Sequence, residues 1–425
     1  MKYIDALKKY NEGKDKWCSP RKGSEDYLKI RKLMNETAAS PKKAVSASAA
    51  SAATMISDAS AKKTSSRTKV YKNATIIQRF LKNKLILTKN NLDTRVQRYK
   101  LIKERLDKIT DTDCLTKKMF GKNNGYTLNG LVNLEKKMGS DSANGVIYLS
   151  SMPHLLGSYP IASKLMEITE ENEFETRLNK WITNNLIITK KSKHFVMMYK
   201  NTKCVATNKL AAIERLVNYN ELCDGDISSL MKTDVRNDET LMINMAYQVL
   251  IAIATFQNRV GYCHNDAHHG NFLYQINKDY KETDRGYYHY VYNGLNFYIK
   301  CCKYNMCIFD FGLSIPTQDV NNTEIATDYL KIIVGFISRK NGGFINSAMD
   351  KQVSANMVEI MSKLKAISTL LIAKNIDDMF GEIIEDVFKV FRTDTQIFRT
   401  TKPTKVLNKI PFVINKVSED PTDWE

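Results

Sequence analysis

The sequence predicts an α+β fold in two lobes, a small antiparallel-sheet lobe followed by a helical one, with a basic N-terminal extension that is part helical and part disordered. Three observations predict it. Strand-like segments around Val146–Tyr148, Ile161–Met166 and Leu216–Ile227 come first, and an almost unbroken apolar run, Leu241–Ala254, follows them. The net charge of +18 also sits almost wholly at one end. From Met1 to Thr110, Lys and Arg number 27 against 10 Asp and Glu, whereas the remaining 315 residues carry 37 against 36. Such a split marks an appendage for anionic partners, nucleic acid, a phosphorylated or acidic protein, or a membrane surface; the rest of the chain needs no such field.

In chain order, residues 1–70 form the basic leader. Within it, residues 38–67 are rich in Ala, Ser, Thr and Lys and poor in bulky apolar side chains, so they cannot bury enough surface to offset ordering and read as a flexible linker. Residues 71–112 read as an amphipathic basic segment. Ile77, Phe80, Leu81 and Leu85, then Val96, Tyr99, Ile102, Leu106 and Ile109, recur at helical spacing. The plain expectation is a helix or helical hairpin packed on the sheet lobe, its basic face in water. Residues 113–223 form the sheet lobe, and residues 224–425 the helical lobe, with an insertion at 277–303 and a largely helical end from Asp350 to Phe391.

The centre of the chain carries the chemistry. His264-Asn265-Asp266-Ala267-His268-His269-Gly270-Asn271 is followed, after the insertion, by Asp310-Phe311-Gly312. Asp266 can orient a hydroxyl and take its proton, while Asn271 and Asp310 supply hard oxygen ligands for Mg²⁺, an arrangement that phosphoryl transfer from a nucleotide requires. A loop with base and metal ligand five residues apart aims both into one cleft, and a strand pair returns the second carboxylate to the same ion. The bland alternative makes Asp266, Asn271 and Asp310 turn caps. The number of matching parts upstream disfavours it.

Those parts run as follows. Gly139 and Gly145, six positions apart in Gly139-Ser140-Asp141-Ser142-Ala143-Asn144-Gly145, suit a backbone that closes over phosphates, although an ordinary polar hairpin has the same composition. Ala162-Ser163-Lys164 on a strand places an ammonium at the α/β-phosphates. On the helix predicted beyond it, Glu175 shares a face with Leu178 and Ile182 and so is the carboxylate carried inward to brace Lys164; Glu170, Glu171 and Glu173 belong to a solvated first turn. The strand that breaks at Gly225 reads as a hinge, with Glu221, Leu222 and Cys223 bordering adenine together with Ile147 and Ala162.

In these residues the chain resembles the protein-kinase-like superfamily, and more narrowly the serine/threonine kinases of large cytoplasmic DNA viruses of iridovirus and mimivirus type. The narrower resemblance rests on His264 to Tyr274, in which His268 stands where a lysine is customary, and on the aromatic insertion Tyr287 to Tyr298, expected to be a hairpin turning at Asn293-Gly294. It covers about Leu131 to Lys340. It implies a bilobal kinase fold, ATP and Mg²⁺ as cofactors, a protein substrate, and a place in the infected-cell cytoplasm or the virion. The catalytic set is then Lys164, Asp266, His268, Asn271 and Asp310. A histidine at position 268 is also common in small-molecule kinases of the aminoglycoside and choline type, where it contacts the moving phosphate or positions the aspartate. His264 is expected to brace the loop and His269 to face solvent.

Only Leu313 to Thr327 separate Gly312 from Asp328–Ile337, read as the buried helix that anchors the catalytic loop, and no Ala-Pro-Glu occurs there. A phosphorylation-regulated activation loop therefore has little room. Two readings compete with a protein kinase: a small-molecule kinase, and a virion structural pseudokinase acting through its leader. The eight cysteines lack Cys-x-x-Cys spacing and are expected to be reduced thiols, with Cys301 and Cys302 on a strand; zinc spacing is absent, and no apolar run is expected to serve as a signal peptide or to span a bilayer.

Overall fold

The computed structural model describes residues 90–415 apart from 111–112, 143–144, 154–160, 205–214, 279, 282, 338–353 and 391–396, and before them only Tyr10, Glu12, Glu25, Asp26 and Lys29. The linker at 38–67 and the expected helix around Ile77 to Leu85 lie outside the described residues. The chain divides into two compact units, Met1–Asn73 and Ala74–Glu425, and the second holds the elements that follow.

The fold is α+β. It begins with helix α1 (Leu92–Leu106), whose first turn is capped by Asn91 accepting from Thr94 N at 3.0 Å. Seven strands follow: β1 (Leu115–Phe120), β2 (Asn123–Leu128), β3 (Val132–Ser142), β4 (Gly145–Ser151), β5 (Ile161–Met166), β6 (Met198–Cys204) and β7 (Arg215–Glu221). They pair antiparallel in the order β1-β2-β3-β4-β5-β7-β6. Helix α2 (Glu170–Ile182) connects β5 to β6. Thr169 caps it, Glu170, Glu171 and Glu173 fill the turn where the helix dipole favours anions, and Leu178 and Ile182 are fully buried.

The expectation of reduced thiols fails at one pair. Cys114, just before β1, and Cys204, the last residue of β6, form a disulfide. Because β1 and β6 are the opposite edges of the sheet, this bond requires the sheet to curl until its edges meet, and Lys200 Nζ donates across the same seam to Ile109 O at 2.9 Å. Spacing alone cannot reveal such a pairing, since the partners lie 90 residues apart and meet only through sheet curvature. Closing a loop of that length removes about 4–5 kcal/mol of entropy from the unfolded chain.

Helix α1 packs beside β6, with Tyr99 6.3 Å from Tyr199 between ring centroids, and buries Val96, Ile102 and Leu106 of its apolar stripe. Its basic residues do not all face water, however: Arg95 is 0% and Arg98 7% exposed.

The described residues after β7 mix helices with short strands. After β7 come the short strand β8 (Gly225–Asp226), α3 (Ile227–Met231) and α4 (Glu239–Thr255), in which every residue from Met242 to Thr255 is buried. With its continuation to Val260, α4 reaches the length and apolarity of a membrane span, which corrects the expectation that no run does so. Its burial inside the protein is what a core helix shows. The short strand β9 (Tyr262–Cys263) leads into the central motif. Beyond that, β10 (Phe272–Ile276) pairs with β13 (Tyr304–Ile308), and between them β11 (Tyr287–Tyr292) and β12 (Leu295–Lys300) form the hairpin. It turns at Asn293 and Gly294, both at positive φ (46° and 79°), as a two-residue primed turn demands. Cys301 and Cys302 follow the end of β12 and do not lie on a strand. Strand β14 (Ile315–Pro316) pairs with β9, and α5 (Asn322–Ile337) packs against α4 and against α6 (Ala355–Ile372).

Candidate active site

Strand β5 presents Lys164 from the middle of the sheet, opposite Ile147 on β4 and Asn218 on β7. Its ammonium lies 2.8 Å from both Glu175 oxygens and 2.7 Å from Asp310 Oδ1. Lys164 is 2% exposed and Glu175 0%. Burial alone would lower the lysine, but Glu175 and then Asp310 outweigh it and hold its pKa above the usual value, so the amine is charged. Glu175 goes the other way. Burial pushes its carboxyl up and the Asp310 charge adds to that, against the pull of Lys164. One cation shared by two carboxylates leaves a local excess of negative charge, and Asp310, with a side chain 26% exposed, carries it at the edge of the water.

The segment from His264 to Asn271 is folded back on itself. Asp266 O accepts from His268 N at 2.8 Å and from Asn271 Nδ2 at 2.9 Å, and the same amide nitrogen lies 3.3 Å from Asp266 Oδ2. With both contacts of Nδ2 directed at Asp266, the Asn271 Oδ1 is left as the acceptor for a cation. Gly270 N donates to His268 Nδ1 at 2.9 Å, which leaves the proton of a neutral ring on Nε2, 3.5 Å from Asp266 Oδ2. His268 thus adjoins the aspartate. Phe309 N donates to Asn271 O at 3.2 Å, and Phe272 pairs with Ile308, so the β10–β13 ladder sets Asn271 and Asp310 at the same end of two adjoining strands.

Two backbone outliers mark the site. Asn265 has φ of 60° and Asp310 of 67°, conformations that cost energy in residues with a side chain and persist only where the surroundings enforce them. The enforcement is visible. Asp328 on α5, fully buried, accepts from His264 N at 2.7 Å and Asn265 N at 2.9 Å, and Lys331 Nζ donates to Asn265 O. His264 Nε2 donates to Phe309 O at 3.0 Å, and burial holds that imidazole below its usual pKa and therefore neutral. Phe311 is locked among Phe256, His264 and Phe195, with ring centroids 4.8, 5.3 and 6.4 Å away, so Asp310 is turned towards Lys164 while its neighbour is sealed in the core.

Beside the charged cluster lies a small apolar cluster of packed side chains, the slot. Val196, Cys307 and Phe309 form a small buried group against which Ile147 from β4, Leu273 from β10 and Cys223 after β7 pack. The Lys164 ammonium stands 5.8 Å from the Phe309 ring centroid, which joins the slot to the ion cluster. Ala162, two residues before Lys164, shares its face of β5.

Of the residues singled out from sequence, Lys164, Glu175 and Asp310 meet in one cluster, Asp266, His268 and Asn271 in an adjoining one, and Ile147 and Cys223 in the slot. Leu222 follows β7 directly. Gly139 lies within β3 and Gly145 opens β4, where a Cβ would come within 2.7 Å of Leu165 O, so close approach to β5 is one reason for glycine there. The Glu221 carboxylate is committed to Arg95 and Arg98 of α1. The expectation that Glu221 borders adenine concerns the backbone of the hinge, which this side-chain contact leaves open. Sequence reasoning put Asp328 at the head of the helix expected to anchor the loop, and missed the parts played by Leu273, Phe309 and the two arginines. A single acidic residue heading the apolar run of α5 was a usable signal for Asp328; nothing local marked the others.

Among the described residues no three His, Cys, Asp or Glu side chains gather as a metal cage. A magnesium ion that is shared with phosphates needs only one or two protein oxygens, and the Asp310 carboxylate and Asn271 amide oxygen are of the right hard type. No known protein-family model matches the chain, and no curated protein matches it.

Proposed function

We propose that this chain is a phosphotransferase with a bilobal kinase fold that uses Mg²⁺ and ATP, with serine or threonine hydroxyls of proteins as acceptors. One observation carries the reading: a buried lysine held at 2.7–2.8 Å between Glu175 and Asp310, next to a loop in which Asn271 is hydrogen-bonded to Asp266. The apolar cluster around Ile147, Cys223, Leu273 and Phe309 offers a base an apolar neighbour, and Lys164 beside it suits the phosphates attached to that base.

In this reading Asn271 and Asp310 hold the magnesium ion, which neutralises charge on the transferred group. Lys164 grips the nucleotide's phosphates, and Glu175 keeps the ammonium aimed. Asp266 orients the acceptor hydroxyl and takes its proton, while His268 restricts the carboxylate. Phosphoryl transfer demands positioning above all, and the fixing of the loop by Asp328 supports that demand.

A small-molecule acceptor is the second reading. The nine residues from Leu313 to Asn321 that separate Gly312 from α5 leave little chain to build a peptide-docking platform. Incubation of the full chain with labelled ATP and, separately, casein, a basic protein and pooled metabolites distinguishes the two. Asp266→Asn should lower transfer to any of them by about 10²–10⁴-fold, the usual worth of a positioned base. Wild-type rates in that variant would refute the role of Asp266.

A further inference from the structure

The two buried arginines of α1 have no part in the phosphotransferase reading, yet they form the most enclosed ion cluster among the described residues. Arg95 Nε lies 3.1 Å from both Glu221 oxygens and its Nη2 2.8 Å from Oε2, a forked contact. Its remaining donors go to Lys193 O at 2.7 Å and Phe195 O at 2.6 Å. Arg98 Nη2 donates to the other Glu221 oxygen, and its guanidinium also reaches Asn90 Oδ1 at 3.2 Å. Asn90 in turn donates to Ile276 O at the end of β10, at 2.8 Å.

The position of Glu221 gives this cluster its meaning. It is the last residue of β7, and only Leu222 and Cys223 separate it from Asp224, whose N–H donates to Tyr274 O at 2.9 Å and whose carboxylate accepts from Ile276 N. The two-residue link is therefore tied at both ends, by α1 through Glu221 and by β10 through Asp224. Cys223 of that link packs into the apolar slot. Burying three charges is costly, and such clusters seldom outperform a well-packed apolar substitute in stability; what they fix is geometry. A forked contact to both carboxylate oxygens fixes the direction of the side chain as well as its distance.

Building on the phosphotransferase reading, we infer that α1 is a positioning element for the nucleotide's base: Arg95 and Arg98 clamp Glu221 and so set the Leu222–Cys223 link against the slot. Neither arginine touches the nucleotide. The clamp acts on the base end and leaves the phosphate end, held by Lys164, Asn271 and Asp310, untouched.

The test compares a ligand with a base and one without. Affinities of Mg–ATP and of magnesium tripolyphosphate are measured on the full chain for wild type, Arg98→Ala, Arg98→Lys and Glu221→Gln, with folding checked by circular dichroism. Arg98→Ala and Glu221→Gln should weaken ATP about tenfold or more, which is about 1.4 kcal/mol, and raise its KM, while kcat at saturation and tripolyphosphate affinity stay within about twofold. Arg98→Lys, which keeps the charge, should recover part of the loss. Unchanged ATP affinity in folded Arg98→Ala and Glu221→Gln overturns the clamp, as does an equal loss for both ligands, which would mark a merely structural role. A wild-type chain that binds neither ligand overturns the phosphotransferase reading, and the clamp with it.

Discussion

Among the described residues two buried ion clusters have opposite stoichiometry, and the contrast separates a site built to hold from one built to act. At α1, two guanidiniums enclose one carboxylate, and the donors of Arg95 are met by Glu221 and by backbone carbonyls. At β5, one ammonium is shared by two carboxylates, and one of these, Asp310, sits on a strained backbone at the edge of solvent. The pKa shifts follow the counts. Burial would raise Glu221, but Arg95 and Arg98 overcome it and bring the carboxyl down to about 2, whereas Glu175 is pushed up by burial and by Asp310. Surplus positive charge closes the first cluster. Surplus negative charge leaves the second ready for a cation.

The largest expected effect tests that surplus. Asp310→Asn removes one anion from the β5 cluster while keeping the shape of the side chain. Transfer should fall by about 10³-fold or more, since a metal ligand and its charge are worth several kcal/mol in such a site. Stability should hold or rise slightly, because the repulsion that lifts Glu175 is relieved. Parallel measurement of rate and urea midpoint decides the matter: a fall in both would place Asp310 among the residues that merely support the fold.

The α1 cluster should show the opposite profile under acid. Glu221 has a folded pKa near 2 and an ordinary value of 4.5, so its contribution is fully present above pH 4.5 and is lost as pH falls from there towards 2. A downward shift of about 2.5 units corresponds to roughly 3 kcal/mol. Glu175 titrates with the reverse sign: its raised pKa makes its contribution fullest below 4.5 and smaller as pH rises. Urea unfolding at stepped pH should therefore show a steep loss below 4.5 that Glu221→Gln flattens. Equal slopes in wild type and variant would mean that Glu221 is not held in this way.

How much of this was legible in the sequence depends on the range of the interaction. The Lys164–Glu175 pair could be read because eleven residues separate the partners and helical periodicity alone put Glu175 on the inward face beside Leu178 and Ile182. The Asn293-Gly294 turn was legible for the same reason, being chemistry local to two residues. The partners of the Glu221 side chain were not legible because they lie 126 and 123 positions upstream, and a periodic pattern treats interspersed arginines as a solvated face until a buried carboxylate claims them. Leu273 and Phe309 were unremarkable apolar strand residues until β10 and β13 paired. The disulfide depended on sheet curvature, which no window of sequence encodes.

The smallest expected effect comes from a third ion pair, and it asks whether burial or mere proximity gives the two clusters their weight. Lys203 on β6 meets Glu173 on α2, two residues before Glu175, with side chains 44% and 32% exposed. The pair sits on the helix that carries the brace for Lys164, so if any charge on α2 sufficed to aim that helix, its loss would be felt in catalysis. Solvent argues otherwise. An exposed pair gains little in a high-dielectric medium and gives up side-chain freedom to form, so Lys203→Ala should change stability by less than about 0.5 kcal/mol. Transfer rates should match those of wild type, because Glu175 is aimed by its buried contacts with Lys164 and by Leu178 and Ile182 beneath it. A rate loss comparable to that of a Lys164 variant would show instead that α2 is loosely held and that its exposed face sets the geometry of the site.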